Sequence, residues 1–314
     1  MNIKDLLRDG NEKLENKGFP HSHTPDPAGS AGITRAYFDS LLVELRVLDS
    51  AEASTEMRLF GESFATPVMT AALSGLDKVH PGGMAEVAKG AAAAGAVMWA
   101  GIGGEDELKA MIDTGAKVIK IVKPYTDTDL IFAKLAQAEK HGAFAVGMDI
   151  DFFFGRRTNV PPPFPMSPKT SGQIKSYIQA TGLPFILKGV LSTQDAGKAL
   201  ELGAAGIVLS HHGGIALDYA VPPVKILPDI VRVIERKIPI FVDCGISRGM
   251  DAFKALALGA SGVSVGRAVM AGLASAGADG VKNVLESFTL ELKRTMSITG
   301  SPDLEHIDPR VIRA

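Results

Sequence analysis

Short apolar segments recur along the chain every roughly 20–35 residues, each followed by a stretch with helical patterning. The segments are Pro67–Ala72, Ala96–Gly101, Lys117–Val122, Ala143–Asp149, Pro184–Lys188, Gly206–Ser210, Pro239–Asp243 and Gly262–Val265. They are apolar almost throughout, as expected of strands covered on both faces. His80–Ala94, Glu105–Thr114, Thr126–His141, Ser171–Ala180, Ser192–Leu202, Pro222–Lys237 and Gly249–Leu258 read as the intervening helices. Strands joined by crossover helices make a parallel sheet, and this set predicts an α/β fold, the (β/α)8 TIM barrel. Such a barrel needs about 250 residues, so 314 leave room for additions.

The additions lie outside the repeat. Residues 1–62 predict an N-terminal helical extension: a helix, a Gly/Pro-rich loop His21–Gly32 and a second short helix near Tyr37. Residues 150–170, with Phe152–Phe154 and Pro161–Pro163, predict a long loop, and residues 278–298 a C-terminal closing helix. The whole, 1–314, reads as one domain, with the barrel and closing helix at 63–314. A formal charge of -2 gives no basic face for nucleic acid. No apolar run reaches the ~18 residues of a membrane span. The N-terminus is too charged for a secretory signal peptide. Cys244 is the single cysteine, which excludes an intramolecular disulfide and a cysteine-rich metal site. These features predict a cytoplasmic protein without a metal centre.

In a barrel, function gathers at the C-terminal ends of the strands. There the sequence places Asp149, Lys188, Ser210-His211-His212-Gly213-Gly214, Asp243-Cys244-Gly245-Ile246-Ser247-Arg248-Gly249 and Gly266-Arg267. The last two loops predict a phosphate site. Glycines let backbone amides approach an anion, helix N-termini add partial positive charge, and Arg248 and Arg267 add bidentate donors. The bland alternative is tight turns with solvated arginines. Lys188 ends an apolar strand, where it could stabilise negative charge, form a Schiff base or pair with Asp243. His212, beside two glycines, suits proton transfer, with Asp149 available to orient it.

Taken together, these residues resemble the FMN-dependent α-hydroxy-acid oxidase/dehydrogenase family, from about Thr34 to Leu304. The stretches LKGVLSTQDAGKALELGAAGIVLSHHGG and IPIFVDCGISRGMDAFKALALGASGVSVGRAVM carry most of the likeness. The resemblance implies FMN at the barrel mouth. It implies that Lys188 lies near flavin N1 and stabilises negative charge there. Asp243, Gly245, Arg248, Gly266 and Arg267 then face the phosphate, Ala71, Ala72 and Leu73 run under the flavin, and Ser210 precedes the base. His212 matches the residue that takes the substrate proton, Asp149 its orienting carboxylate, and Arg156 or Arg157 a substrate contact. Homotetramers or homo-octamers are implied by the same likeness.

The departures from the family pattern concern the substrate. Ile215 stands where an arginine clamps the substrate carboxylate; a lost charge-assisted contact is worth roughly 1.5–3 kcal/mol. In the third strand, Lys120-Ile121-Val122 is aligned with glutamine-leucine-tyrosine, which makes Lys120 a flavin contact and removes a tyrosine hydroxyl at Val122. Gly147 replaces a threonine. The expectation is therefore an FMN-dependent oxidoreductase acting on a 2-hydroxy acid or related alcohol. The alternatives are a non-redox flavin enzyme of the isopentenyl diphosphate isomerase type, a flavin-binding protein with a lost substrate site, and a flavin-free phosphosugar barrel.

Overall fold

The computed structural model describes residues 2–19, 29–153 and 164–313, and all the expected strands form. They are β1 (Val68–Thr70), β2 (Met98–Ala100), β3 (Val118–Val122), β4 (Ala145–Asp149), β5 (Phe185–Val190), β6 (Gly206–Leu209), β7 (Ile240–Val242) and β8 (Gly262–Val265). Neighbours run parallel in the order β1-β8-β7-β6-β5-β4-β3-β2. The ring closes between β1 and β2. There the Thr70 amide donates to the Val97 carbonyl at 3.3 Å and the Gly101 amide to the Leu73 carbonyl at 2.7 Å. The molecule is a (β/α)8 barrel.

Side chains alternate along each strand, so one parity fills the barrel and the other meets the helices. Ile119 and Ile121 of β3 pack inside with Trp99, Ile186, Val208 and Phe241. Val118 and Val122 pack outward in the larger core beneath the helices. A hairpin, Met57–Leu59 paired with Glu62–Phe64, floors the barrel with Met57, Leu59 and Phe64. Nothing in the local sequence pattern had marked it as paired strands.

The crossover helices lie within the expected segments, with shifted ends. The first starts at Gly83 rather than His80, because Gly82 takes a left-handed turn, φ 83°, directly before it. Leu76–Lys78 adds a short 3-10 turn. The second N-terminal helix, Ser30–Ser40, begins inside the segment read as a loop; positions 21–28 of that segment lie outside the described residues. The closing helix extends back to Arg267, as Arg267–Ile298, with non-helical geometry at Ala276 and Gly277. Helix Ile3–Asn16 packs on it so closely that a Cβ on Gly10 would lie 2.5 Å from the Ala271 carbonyl carbon.

Candidate active site

The seventh and eighth strand ends build an anion cradle. After β7 the chain turns through left-handed conformations at Cys244 (φ 65°) and Gly245 (φ 90°). A Cβ on Gly245 would lie 2.8 Å from Thr34 Cγ2, so helix Ser30–Ser40 is packed against this turn. From the same helix, Arg35 donates to the Gly245 carbonyl (3.0 Å), Ser247 Oγ (3.0 Å) and Asp251 (2.8 and 2.9 Å). The extension therefore shapes the site.

Two helices begin at this rim: Gly249–Ala257 after Arg248, whose Gly249 amide donates to Glu291 Oε2 at 2.7 Å, and Arg267–Ile298 after Gly266, which as glycine brings no capping side chain. The N-terminal ends of both helices direct partial positive charge at one region. Arg267 is half-buried, its pKa is lowered by that burial, and among the described residues no carboxylate offsets its charge. Arg248 is more exposed and lies 3.9 Å from Asp251. A Cβ on Gly266 would sit 3.5 Å from Ala71 Cβ, which sets Ala71, Ala72 and Leu73 on the adjoining, half-exposed lip of β1. A partly desolvated arginine with no carboxylate partner among the described residues, beside two helix N-termini, fits a phosphate such as that of FMN.

At the ends of β3 to β7 lies a buried charge cluster. Lys188 Nζ sits 3.0 Å from Asp149 Oδ1, 3.4 Å from Asp243 Oδ2 and 3.2 Å from Ser210 Oγ. Burial opposes its charge, but Asp149 and Asp243 hold its pKa above the ordinary lysine value. Asp149, also buried, is held well below the usual carboxylate range by Lys188 and Lys123 against the opposing effect of burial. Lys123 binds Asp149 Oδ2 directly and stands 4.1 Å over the Phe152 ring. Burial and Asp243 push the Cys244 thiol up, so it is no nucleophile at neutral pH.

His212 stands over this cluster in a left-handed conformation, φ 55°, which a non-glycine residue adopts at a cost of roughly 1–2 kcal/mol. Its amide donates to Ser210 Oγ at 3.1 Å. Its Nδ1 is 3.4 Å from Asp151 Oδ1, 3.7 Å from Asp149 Oδ1 and 3.5 Å from Lys188 Nζ. Phe152 stacks on the ring at 4.7 Å. The neighbouring His211 is structural: its Nδ1 accepts from the Gly214 amide and its Nε2 meets Thr34 Oγ1 at 2.7 Å. Asp149, Asp151 and His212 bring ligand atoms within 4.8 Å of one another. Both Asp149 oxygens already face ammonium groups, so the cluster is balanced by lysines rather than shaped for a cation.

The structure thus gathers Asp149, Lys188, Ser210, His212 and Asp243 in one cluster, beside the rim formed by Ala71–Leu73, Gly245, Arg248, Gly266 and Arg267. Lys120 does not join them. It shares the outward parity of Val118 and Val122, its Nζ bonds the Gly101 carbonyl, and burial lowers its pKa to about 8. The expected alignment of β3 is therefore one residue out: Ile121 and Lys123 hold the inward positions. Arg156 and Arg157 lie outside the described residues. Lys123, Asp151 and Arg35 were not anticipated. Strand parity could have exposed Lys123, and the Asp-x-Asp spacing could have exposed Asp151. Arg35 has no local signal.

A model of the family described as FMN-dependent dehydrogenase matches residues 28–178 and 164–314. Glycolate oxidase of Spinacia oleracea is 31% identical over 318 residues, covering 89% of this chain and 86% of the relative. A peroxisomal (S)-2-hydroxyacid oxidase of Arabidopsis thaliana is 30% identical, covering 88% and 86%. Among solved structures, mandelate oxidase superposes with a TM-score of 0.90 at 29% identity, covering 99% of this chain and 97% of that one. Its complex with (S)-2-phenylpropionate gives 0.89 at 30% identity, with the same coverage.

Proposed function

Since the chain belongs to the FMN-dependent dehydrogenase family and is a flavin-dependent oxidoreductase acting on a hydroxyl-bearing substrate, we propose that His212 is its catalytic base and the β7–β8 rim its phosphate site. The observation that carries this reading is His212 itself: a residue held in a left-handed backbone conformation at the barrel mouth, with carboxylates at Nδ1 and Lys188 beside it. FMN, when bound, supplies the two-electron acceptor for the hydrogen on the substrate's carbinol carbon.

The protein's own contribution is proton handling and charge. Nδ1–H donated to a carboxylate leaves Nε2 as the proton acceptor. His212 takes the hydroxyl proton while the carbon-bound hydrogen leaves with its electron pair, and a carbonyl product remains. The imidazolium that results is stabilised by the same carboxylates. Lys188, fixed as a cation by Asp149 and Asp243, opposes negative charge that gathers beside it. Arg267, Arg248 and the first-turn amides of helix Arg267–Ile298 would hold the phosphate, with Ala71, Ala72 and Leu73 flanking it. Ile215 follows the His212 turn and has no donor for a carboxylate. This favours a hydroxyl substrate that is not simply glycolate or lactate, with Arg156 or Arg157 as candidate contacts.

A cytoplasmic location, a homotetramer or homo-octamer, and a single domain over 1–314 complete the proposal. A lone half-buried cysteine supports the first, family likeness the second, and the packing of helix Ser30–Ser40 on the β7 loop the third. The test of function is the purified protein's visible spectrum, followed by His212→Ala. A colourless protein that takes up no FMN refutes the cofactor site. Flavin reduction at the wild-type rate in His212→Ala refutes the base.

A further inference from the structure

We propose that Lys123 is the cation that receives the acid group of the substrate, and that this lysine at the end of β3 does what Ile215 cannot. The inference rests on the reading of the barrel mouth as the substrate site. β3 sends Ile119 and Ile121 into the barrel. Two residues on, where the strand ends, the same parity turns Lys123 inward. Its side chain is 6% exposed and meets the charge cluster beside His212.

Lys123 is the cation of this cluster whose charge is least offset. Lys188 is matched by two carboxylates, Asp149 Oδ1 at 3.0 Å and Asp243 Oδ2 at 3.4 Å, with Ser210 Oγ at 3.2 Å and His212 Nδ1 at 3.5 Å. Arg35 is held by Asp251 and Asp39. Lys123 has only a share of one carboxylate, Asp149, whose other oxygen faces Lys188. An ammonium has three donors. Among the described residues Asp149 takes one of them, and the other contact of Nζ is the face of Phe152 at 4.1 Å. Donors and charge are therefore left for a ligand.

Phe152 sets this cation close to the base. The ring that Lys123 stands over also stacks on the His212 imidazole at 4.7 Å. A substrate that gives its hydroxyl proton to His212 is thus one ring away from the ammonium. An acid group can replace that ring against Nζ without breaking an ion pair, exchanging a cation–π contact for a charge-assisted hydrogen bond. Asp149 keeps Lys188 as a partner when Lys123 turns towards the substrate. An ammonium is a point charge without the two prongs of a guanidinium, so it draws an acid in without fixing its angle.

The test uses 2-hydroxy-2-methylpropanoate and its amide. The two share a skeleton and differ in charge. Neither has a hydrogen on the carbinol carbon, so both bind without reducing the flavin. Dissociation constants are read by calorimetry on FMN-loaded protein. Wild type is expected to bind the acid roughly 10- to 150-fold more tightly than the amide, the span of one charge-assisted hydrogen bond. Lys123→Met should abolish that preference by weakening the acid, with the amide little changed. Lys123→Gln, which keeps a donor for Asp149, should do the same and serves if the methionine variant does not fold. Equal affinity for acid and amide in wild type overturns the proposal without any variant. A preference for the acid that survives in either variant also overturns it. Because neither ligand is oxidised, the result stands apart from the test of the base: His212→Ala could fail that one while this measurement still decided the role of Lys123.

Discussion

Arg267→Met separates the flavin site from the fold. In the protein without FMN, Arg267 is half-buried, its charge offset by no carboxylate among the described residues, and burial lowers its pKa. Removing it breaks no ion pair among the described residues, and methionine keeps the apolar stem, so the apo protein should be as stable as wild type or slightly more so. With FMN, the same change deletes a charge-assisted contact to phosphate worth roughly 1.5–3 kcal/mol. At 1.4 kcal/mol per tenfold, the dissociation constant for FMN should rise about 10- to 150-fold. The FMN-induced rise in Tm should shrink, by roughly 1.5 °C per kcal/mol at this chain length. The assay is titration of deflavinated protein by quenching of flavin fluorescence, paired with thermal melts with and without FMN. Arg248→Met should weaken binding less, because that side chain is more exposed and near Asp251. Wild-type FMN affinity in Arg267→Met would refute the assignment of the phosphate to this rim.

Three further outcomes follow from the packing and charges. Lys120 is buried at a pKa of about 8 against an ordinary 10.5, so folding releases its proton and stability falls as pH drops from 10.5 towards 8. At about 1.36 kcal/mol per unit, less roughly 1 kcal/mol for the bond to Gly101, Lys120→Met should stabilise by about 2 kcal/mol at pH 7 in urea melts. It should also leave FMN affinity unchanged. Burial raises the pKa of Asp251, but Arg35 overrides that and holds it below 3.8. Its contribution is therefore full above that value and lost as pH falls through the folded-state pKa. Asp251→Asn should cost about 3 kcal/mol near pH 7, with the difference from wild type vanishing in acid. Phe241→Ala, which empties the barrel floor beside Trp99, should cost about 3–5 kcal/mol by the same melts.

Much of the architecture was legible because its signal is local. Each apolar run is a buried strand and each amphipathic run a helix, so the eight-fold alternation gave the barrel and the strand ends gave Asp149, Lys188, His212 and Asp243. What escaped depends on tertiary placement. The register of β3 turns on a parity that only the barrel interior reveals; a one-residue slip exchanged inward Lys123 for outward Lys120. The floor hairpin is two three-residue strands, too short to show periodicity. Arg35 matters because helix Ser30–Ser40 folds back over a loop some 210 residues away, a contact invisible to any window of sequence. Asp151 carries a faint signal in its Asp-x-Asp spacing, but its contact with His212 Nδ1 at 3.4 Å is made only when the ends of β4 and β6 come together.

The most direct test of the whole account is anaerobic bleaching of the bound flavin by a panel of 2-hydroxy acids and related alcohols, in wild type and in His212→Ala. The account predicts that the purified protein is yellow and that at least one member of the panel reduces its flavin. Glycolate and lactate should do so slowly, for want of an arginine at Ile215. His212→Ala should bind FMN but reduce it roughly 10²- to 10⁴-fold more slowly. A panel that leaves the flavin oxidised throughout, or a His212→Ala protein that bleaches at the wild-type rate, would contradict it.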